Sequence, residues 1–413
     1  MISMTYEALM TEADREKTSL VESRRWLHAH AETGFDLTET KEFVRQKLIE
    51  LGCEPADCGK TGLVVTIGGN NKGKTFLLRA DMDALPMTED SDVGFPSANG
   101  NMHACGHDMH TAMLLGAAKL LKAHEDDIQG TVKLMFQPAE EIFMGCQDMI
   151  EAGVLKNPDV DAAMMIHVTA GTPLPAGTVV VSAPGISAPA ADYFTIRVQG
   201  KGCHGSAPQD GIDPLTAAAH ILIALQEIQA RELAASDEAV LTIGTMNAGT
   251  AANVIPDSVI MGGSIRTYDE KVRSRLKHRM VEIATGVASA FRTAAEVSFG
   301  SGCPTLVNDT NLSNEMKAYL ADLLGEKKVC STAEFSRNGK SARGGGSEDF
   351  SYMSHQVPTL MLALAAGEPE KGYPYAQHHP KVKFDESVLP VGAAVYAYAA
   401  MRWLKEHQIK SSL

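Results

Sequence analysis

The sequence predicts an α/β protein, a mixed sheet flanked by helices, interrupted by a smaller inserted α+β domain. Three observations lead there. A chain of 413 residues exceeds what one ordinary core fills. Its first 180 residues alternate helical and extended apolar patterns, the order that builds a sheet covered by helices. Near residue 184 a Pro-, Ala- and Gly-rich link, APGISAPAAD, opens a second compact pattern.

Each element has a local reason. ADREKTSLVESRRWLHAH and TETKEFVRQKLIELG carry apolar residues at helical spacing, and TGLVVTIGG and KTFLLRADMD read as strands. TAMLLGAAKLLKAHE reads as a helix beginning near Thr111, and TVKLMFQPAEE and VDAAMMIHV as buried strands. Beyond the link, YFTIRVQGKG is a strand, PLTAAAHILIALQEIQARELA a helix, AVLTIGTMNAG and DSVIMGGSIRTY strands, EKVRSRLKHRMVEIATGVASAF a helix and AAEVSFGSG a strand. That βαββαβ order is ferredoxin-like. The inserted domain is therefore placed at 185–300, leaving 1–184 and 301–413 as one discontinuous domain. The latter closes with LSNEMKAYLADLLG, VPTLMLALAAG and SVLPVGAAVYAYAAMRWLKEH, and ARGGGSEDF at 342–350 reads as a loop made mobile by its glycines.

Composition narrows the class. Hydrophobic residues at 44% and charged residues at 21% suit a globular chain, and no apolar run approaches the roughly 20 residues of a spanning helix. A net charge of -14 without a Lys/Arg cluster argues against a nucleic-acid surface. The opening MISMTYEALMTEADREKTSL lacks a basic start followed by an apolar stretch, so a cytoplasmic setting is expected. Seven scattered cysteines suit reduced thiols better than a disulfide framework, and among them Cys105 stands apart.

Residues 102–110, MHACGHDMH, crowd three histidines, a cysteine and an aspartate together. Cys105 and His107, two apart and ahead of the helix, are expected on a loop from which both reach one ion. His103 and His110 read as residues of a His-rich capping loop. FQPAEE ends a strand in Glu140 and Glu141, which an extended backbone would point to opposite sides, one toward metal and one toward substrate and water. A histidine on a buried strand is usually a hydrogen-bonded core residue, but His167 falls at a strand end level with Glu141. YAQHHPKVKFDE offers His378 and His379 in a further loop. Cys, His, Glu, His and His exceed one tetrahedral zinc site. They suit two ions ~3.5–4 Å apart with a bridging ligand, and leave Glu140 as the general base.

LRADMDALPM, MHACGHDMHTAMLLGAAKLL, QPAEE, GKGCHGSAPQDGIDP, NVIPD and HHPKVKFDESVLPVGA, taken together and in this order, resemble the amidohydrolase branch of the aminoacylase and carboxypeptidase-type metallopeptidases. That branch includes hippurate hydrolases, N-acyl-amino-acid amidohydrolases and indole-acetyl-amino-acid hydrolases. The resemblance implies Cys105, His107, Glu141 and His167 as metal ligands and Glu140 as catalytic base. It favours His378 as the last ligand, because His378 precedes Pro380 with Glu386, Leu389 and Pro390 in step, while His379 takes the variable position. It makes the inserted domain a lid, with His204 donating to the oxyanion, Asn253 and Arg266 binding the substrate carboxylate or oxyanion, and Asp83 orienting a ligand or metal. The implied reaction is metal-dependent hydrolysis of N-acyl amino acids with two divalent ions per chain, zinc or manganese, cobalt and nickel being compatible. The alternatives are a dipeptidase or carboxypeptidase with the same machinery and an inactive ligand-binding relative. A homodimer through the lid domain is a further expectation, since open strand edges invite partners.

Overall fold

The computed structural model describes residues 6–69, 73–335 and 345–408, so residues 342–344 of the glycine-rich loop lie outside the described residues. In chain order the elements begin with α1 (Tyr6–Arg15), α2 (Lys17–Ala29), α3 (Thr38–Glu50), β1 (Ala56–Cys58), β2 (Gly62–Gly68) and β3 (Thr75–Asp81). They continue with α4 (His107–Ala123), β4 (Thr131–Gln137), α5 (Gly145–Glu151), β5 (Ala162–Thr169), β6 (Val179–Val181) and β7 (Gly185–Ala188). Next come β8 (Ala190–Gln199), β9 (Cys203–His204), α6 (Pro214–Glu227), β10 (Ala239–Ala248), β11 (Val254–Ile255), β12 (Ser258–Thr267), α7 (Glu270–Ala290) and β13 (Ala294–Cys303). The chain ends with β14 (Leu306–Asn308), α8 (Thr310–Leu324), β15 (Val329–Ser331), α9 (Ser351–Ser354), β16 (Thr359–Ala365) and α10 (Leu389–Glu406).

The chain divides into two compact units. The first comprises Met1–Ser187, Val307–Arg343 and Tyr352–Leu413, and the second Ala188–Leu306 and Gly344–Ser351.

The first unit holds an eight-stranded mixed sheet in the order β1-β2-β4-β3-β5-β16-β6-β15. The central strands β4, β3, β5 and β16 run parallel, while β1 and β2 at one side are antiparallel. Every residue of β3 is buried, as expected of an inner strand covered on both faces. α4 packs on α10, and both pack on β3. The β3–β5 ladder runs from Phe76↔Ala162 to Arg79↔Met165 and stops. There the buried Tyr396 of α10 inserts its hydroxyl, donating to the Arg79 carbonyl at 2.7 Å and accepting from the Ile166 amide at 2.9 Å. Asp81 and His167 follow on the two strands, at the carboxyl end where such sheets gather ligands.

Some element boundaries differ from the sequence reading. The first predicted helix divides into α1 and α2 at Glu16. More consequentially, α4 begins at His107 rather than near Thr111, so His107 is a helical residue and only Cys105 stays on the preceding loop. Gly106 explains the early start: it takes φ +94°, and a β-carbon there would collide with the Val168 side chain.

The second unit is a four-stranded antiparallel sheet, β10-β12-β8-β13, with α6 and α7 packed on each other and on the sheet. Alternate residues of β8, among them Phe194, Ile196 and Val198, face a core shared with Ile221, Leu225, Leu276 and Met280. Asp213 caps α6 through the Leu215 amide, and Asp269 caps α7 through Lys271 and Val272. A two-residue ladder joins β9 to β11. Among the described residues no helix is long and apolar enough to cross a membrane, and all seven cysteines are free thiols.

Candidate active site

β4 ends at Gln137, and Glu140 and Glu141 lie on a turn, not on the extended strand the sequence suggested. Ala139 enters that turn at φ +56°. Both carboxylates consequently approach one group instead of pointing apart: Nε2 of His107 lies 3.9 Å from Oε2 of Glu140 and 3.8 Å from Oε1 of Glu141. Asp83, on the segment after β3, holds the turn. Its Oδ1 accepts from the Glu140 amide at 3.0 Å and its Oδ2 from the Glu141 amide at 3.2 Å. The Asp83 carbonyl faces Nδ1 of His107 at 2.7 Å; a carbonyl only accepts, so Nδ1 is protonated and donates.

Cys105 is the shared member of the cluster. Its Sγ lies 3.4 Å from Nε2 of His167 and 3.3 Å from Nε2 of His378, which is itself 3.6 Å from Oε1 of Glu141. Donor atoms of Cys105, His107 and His167 lie within 4.8 Å of one another, and so do those of Cys105, Glu141 and His378. Of the two late histidines the structure brings His378 to this cluster. His379 stacks on Tyr375 instead, and its Nδ1 accepts from the Lys381 amide. Glu386 pairs with Arg24 and Arg25, serving the fold.

The electrostatics are those of donors crowded out of water. Burial pushes the Cys105 thiol well above its usual range, with Glu141 and Glu140 adding to the shift. Burial raises Glu141 to about 7, helped by Asp83 and Asp81 and opposed by His107. For His107 burial opposes the charged ring, but Asp81, Cys105 and the bond to Asp83 outweigh it and raise the imidazole well above its ordinary value. Burial, with His107 and His167, pushes His378 down. Nε2 of His107 and Oε1 of Glu141 are buried without a hydrogen-bond partner. Such an atom costs about 1–3 kcal/mol when left alone, and a cation among these donors removes that cost. Sulfur, nitrogen and oxygen donors in these overlapping groups fit divalent metal ions.

The remaining sequence candidates lie in the second unit. His204 ends β9 opposite Val254, and the amide of Gly205 donates to the Asn253 carbonyl at 2.8 Å. A β-carbon at Gly205 would meet that carbonyl at 2.8 Å, so a side chain there would open the contact. Nδ1 of His204 accepts from the Ser206 amide at 3.1 Å and lies 2.7 Å from its hydroxyl. Since an amide only donates, the neutral ring carries its proton on Nε2. Arg266 donates to Ser347 at 2.5 Å and to Tyr193 at 3.4 Å.

Several buried polar residues around the site carry no site role in the sequence reading. Asp81 is fully buried against Arg79 at 2.6 Å, which also donates to Gln137 at 2.9 Å. Asp108, next to His107, pairs with Arg24 at 2.7 Å and His28 at 2.8 Å, partners about 80 residues away that no local pattern connects. His103 is buried with both ring nitrogens unpartnered, and burial pushes it down to about 3.

The family described as peptidase family M20/M25/M40 matches residues 77–402. Over 400 residues the chain is 37% identical to IAA-amino acid hydrolase ILR1-like 2 of Arabidopsis thaliana, covering 95% of this chain and 87% of that protein. Over 398 residues it is 34% identical to N-acetyl-L-cysteine deacetylase of Bacillus subtilis, covering 95% and 90%. Among solved structures it is similar to the YXEP protein of Bacillus subtilis, a dinuclear metal binding peptidase, at 32% identity and a TM-score of 0.75 over 95% of this chain and 99% of that one. The chain belongs to peptidase family M20/M25/M40 and is a hydrolase of carbon–nitrogen bonds.

Proposed function

We propose that this protein hydrolyses the amide bond of N-acyl amino acids with two divalent cations per chain, releasing a carboxylic acid and a free amino acid. The observation that carries the reading is a pair of donor groups overlapping at Cys105, beside an additional carboxylate, Glu140. Cys105, His107, Glu141, His167 and His378 hold the cations, with zinc or manganese favoured and cobalt or nickel compatible. The substrate class is supported by relatives named for acting on IAA-amino acids and N-acetyl-L-cysteine.

Divalent cations held there supply electrophilic polarisation of the scissile carbonyl and acidify water. Glu140 takes a proton from the attacking water and passes it to the leaving nitrogen as the carbon–nitrogen bond breaks. Asp83 keeps the Glu140 backbone in place for that transfer. His204, protonated on Nε2, donates to the developing oxyanion. Asn253 and Arg266 hold the substrate carboxylate, for which a guanidinium fork is suited. In this reading the first unit is catalytic, and the second covers substrate and forms a homodimer through an open edge, β10 or β13. Seven free thiols support a cytoplasmic setting.

The test is hydrolysis of N-acetyl amino acids, N-benzoyl amino acids and dipeptides before chelation, after it, and after adding back single metals. Turnover of acylated amino acids, lost on chelation and restored by one metal, is expected. Cleavage of dipeptides alone would move the reading to a dipeptidase, and no turnover with any metal would leave a ligand-binding relative. The mass in solution decides the dimer.

A further inference from the structure

We infer that His110 is a positioning residue for the candidate metal centre, tying the end of β3 to the end of β5 and so fixing His167. The inference rests on the metal reading above. His110 lies on α4 with its side chain fully buried. Its Nε2 accepts from the Val168 amide at 2.8 Å. An amide only donates, so the proton of the neutral ring sits on Nδ1, which donates to Oδ1 of Asp81 at 2.6 Å. The two bonds specify one tautomer and one ring orientation.

Both ends of this link are held elsewhere. Asp81 is paired with Arg79 at 2.6 Å, and its carbonyl accepts from the Thr111 hydroxyl at 2.7 Å. Val168 follows His167 directly. Its carbonyl accepts from Nδ1 of His167 at 2.7 Å, leaving Nε2 of that ring for the cluster, and from the Gln377 amide group at 2.6 Å, beside His378. The His110 and His167 rings meet edge to face, 4.6 Å between centroids. The β3–β5 ladder has already ended at Arg79↔Met165, so the His110 side chain supplies the connection that backbone pairing does not. Removing it strips the Val168 amide, next to His167, of its acceptor, while Val168 itself stays in register with Leu364 of β16.

The test titrates chelated protein with Mn2+ by calorimetry. His110→Ala should weaken at least one of two binding events by about 10–100-fold, the usual effect of losing a partner that orients a ligand. His110→Gln, whose amide offers one donor and one acceptor, should recover most of that loss. In metal-free wild type, 15N NMR should show His110 protonated on Nδ1. Wild-type affinity for both ions in His110→Ala, or protonation on Nε2, would overturn the inference. Should the alanine variant not fold, the glutamine variant and the tautomer decide: affinity in His110→Gln weakened by more than about 100-fold, or the Nε2 tautomer in the wild type, would overturn it. Wild type that binds no divalent ion contradicts the metal reading itself, a failure distinct from the wrong tautomer.

Discussion

The main-chain carbonyl of Asp83 accepts from Nδ1 of His107 at 2.7 Å, while the carboxylate of the same residue accepts from the amides of Glu140 and Glu141. One residue thereby orients a candidate ligand and seats two carboxylates. Asp83→Asn puts an NH2 group against one of those amides, and turnover should fall about 10–100-fold. Parallel measurement of kcat and of metal content checks it; a kcat within two-fold of wild type would contradict the role.

Glu140 has a carboxylate oxygen within 4.8 Å of donor atoms of His107 and Glu141, but it belongs to neither donor group that includes Cys105. Glu140→Gln keeps the shape and removes the proton acceptor, so turnover should drop about 100- to 10,000-fold with metal content unchanged. Substantial residual activity, or loss of metal, would place Glu140 in another role.

Tyr396 joins two strands where their ladder stops, through bonds of 2.7 and 2.9 Å to Arg79 and Ile166. Tyr396→Phe removes both bonds in a buried setting and should cost about 1–3 kcal/mol of stability. Urea unfolding at matched metal content measures it, and an unchanged midpoint would show that the bonds are dispensable.

His28 gives the fold a pH dependence. Burial opposes its charge, but the hydrogen bonds to Asp108 and Glu89 overcome that, and its pKa is raised. A raised folded-state value means that the contribution is complete below the unfolded value of about 6.5 and fades as pH rises through the folded value. His28→Gln should therefore destabilise more at about pH 5.5 than near pH 9. Equal losses at both would refute the assignment.

The architecture is legible in the sequence because apolar periodicity is local: β3 and β5 read as buried runs, and βαββαβ reads directly in the second unit. The candidate site is legible as residue types at strand ends, Glu140, Glu141 and His167, and around the start of α4, Cys105 and His107. How those residues meet is not. It depends on the left-handed Gly106 that starts α4 early and on the turn at Ala139 that swings both glutamates toward His107. The resemblance already favours His378 over His379, but the loop conformation that turns one ring to Cys105 and the other to Tyr375 is not written in the local pattern. His28, Arg24 and Asp108 meet from distant segments, and no pattern along the chain joins them.

The most direct measurement is the number of divalent ions per chain at full activity, read by titrating metal into chelated protein while following hydrolysis of an N-acyl amino acid. The account predicts that activity saturates at two ions per chain. Full activity with none bound, or saturation at a single ion with no second site, would contradict it.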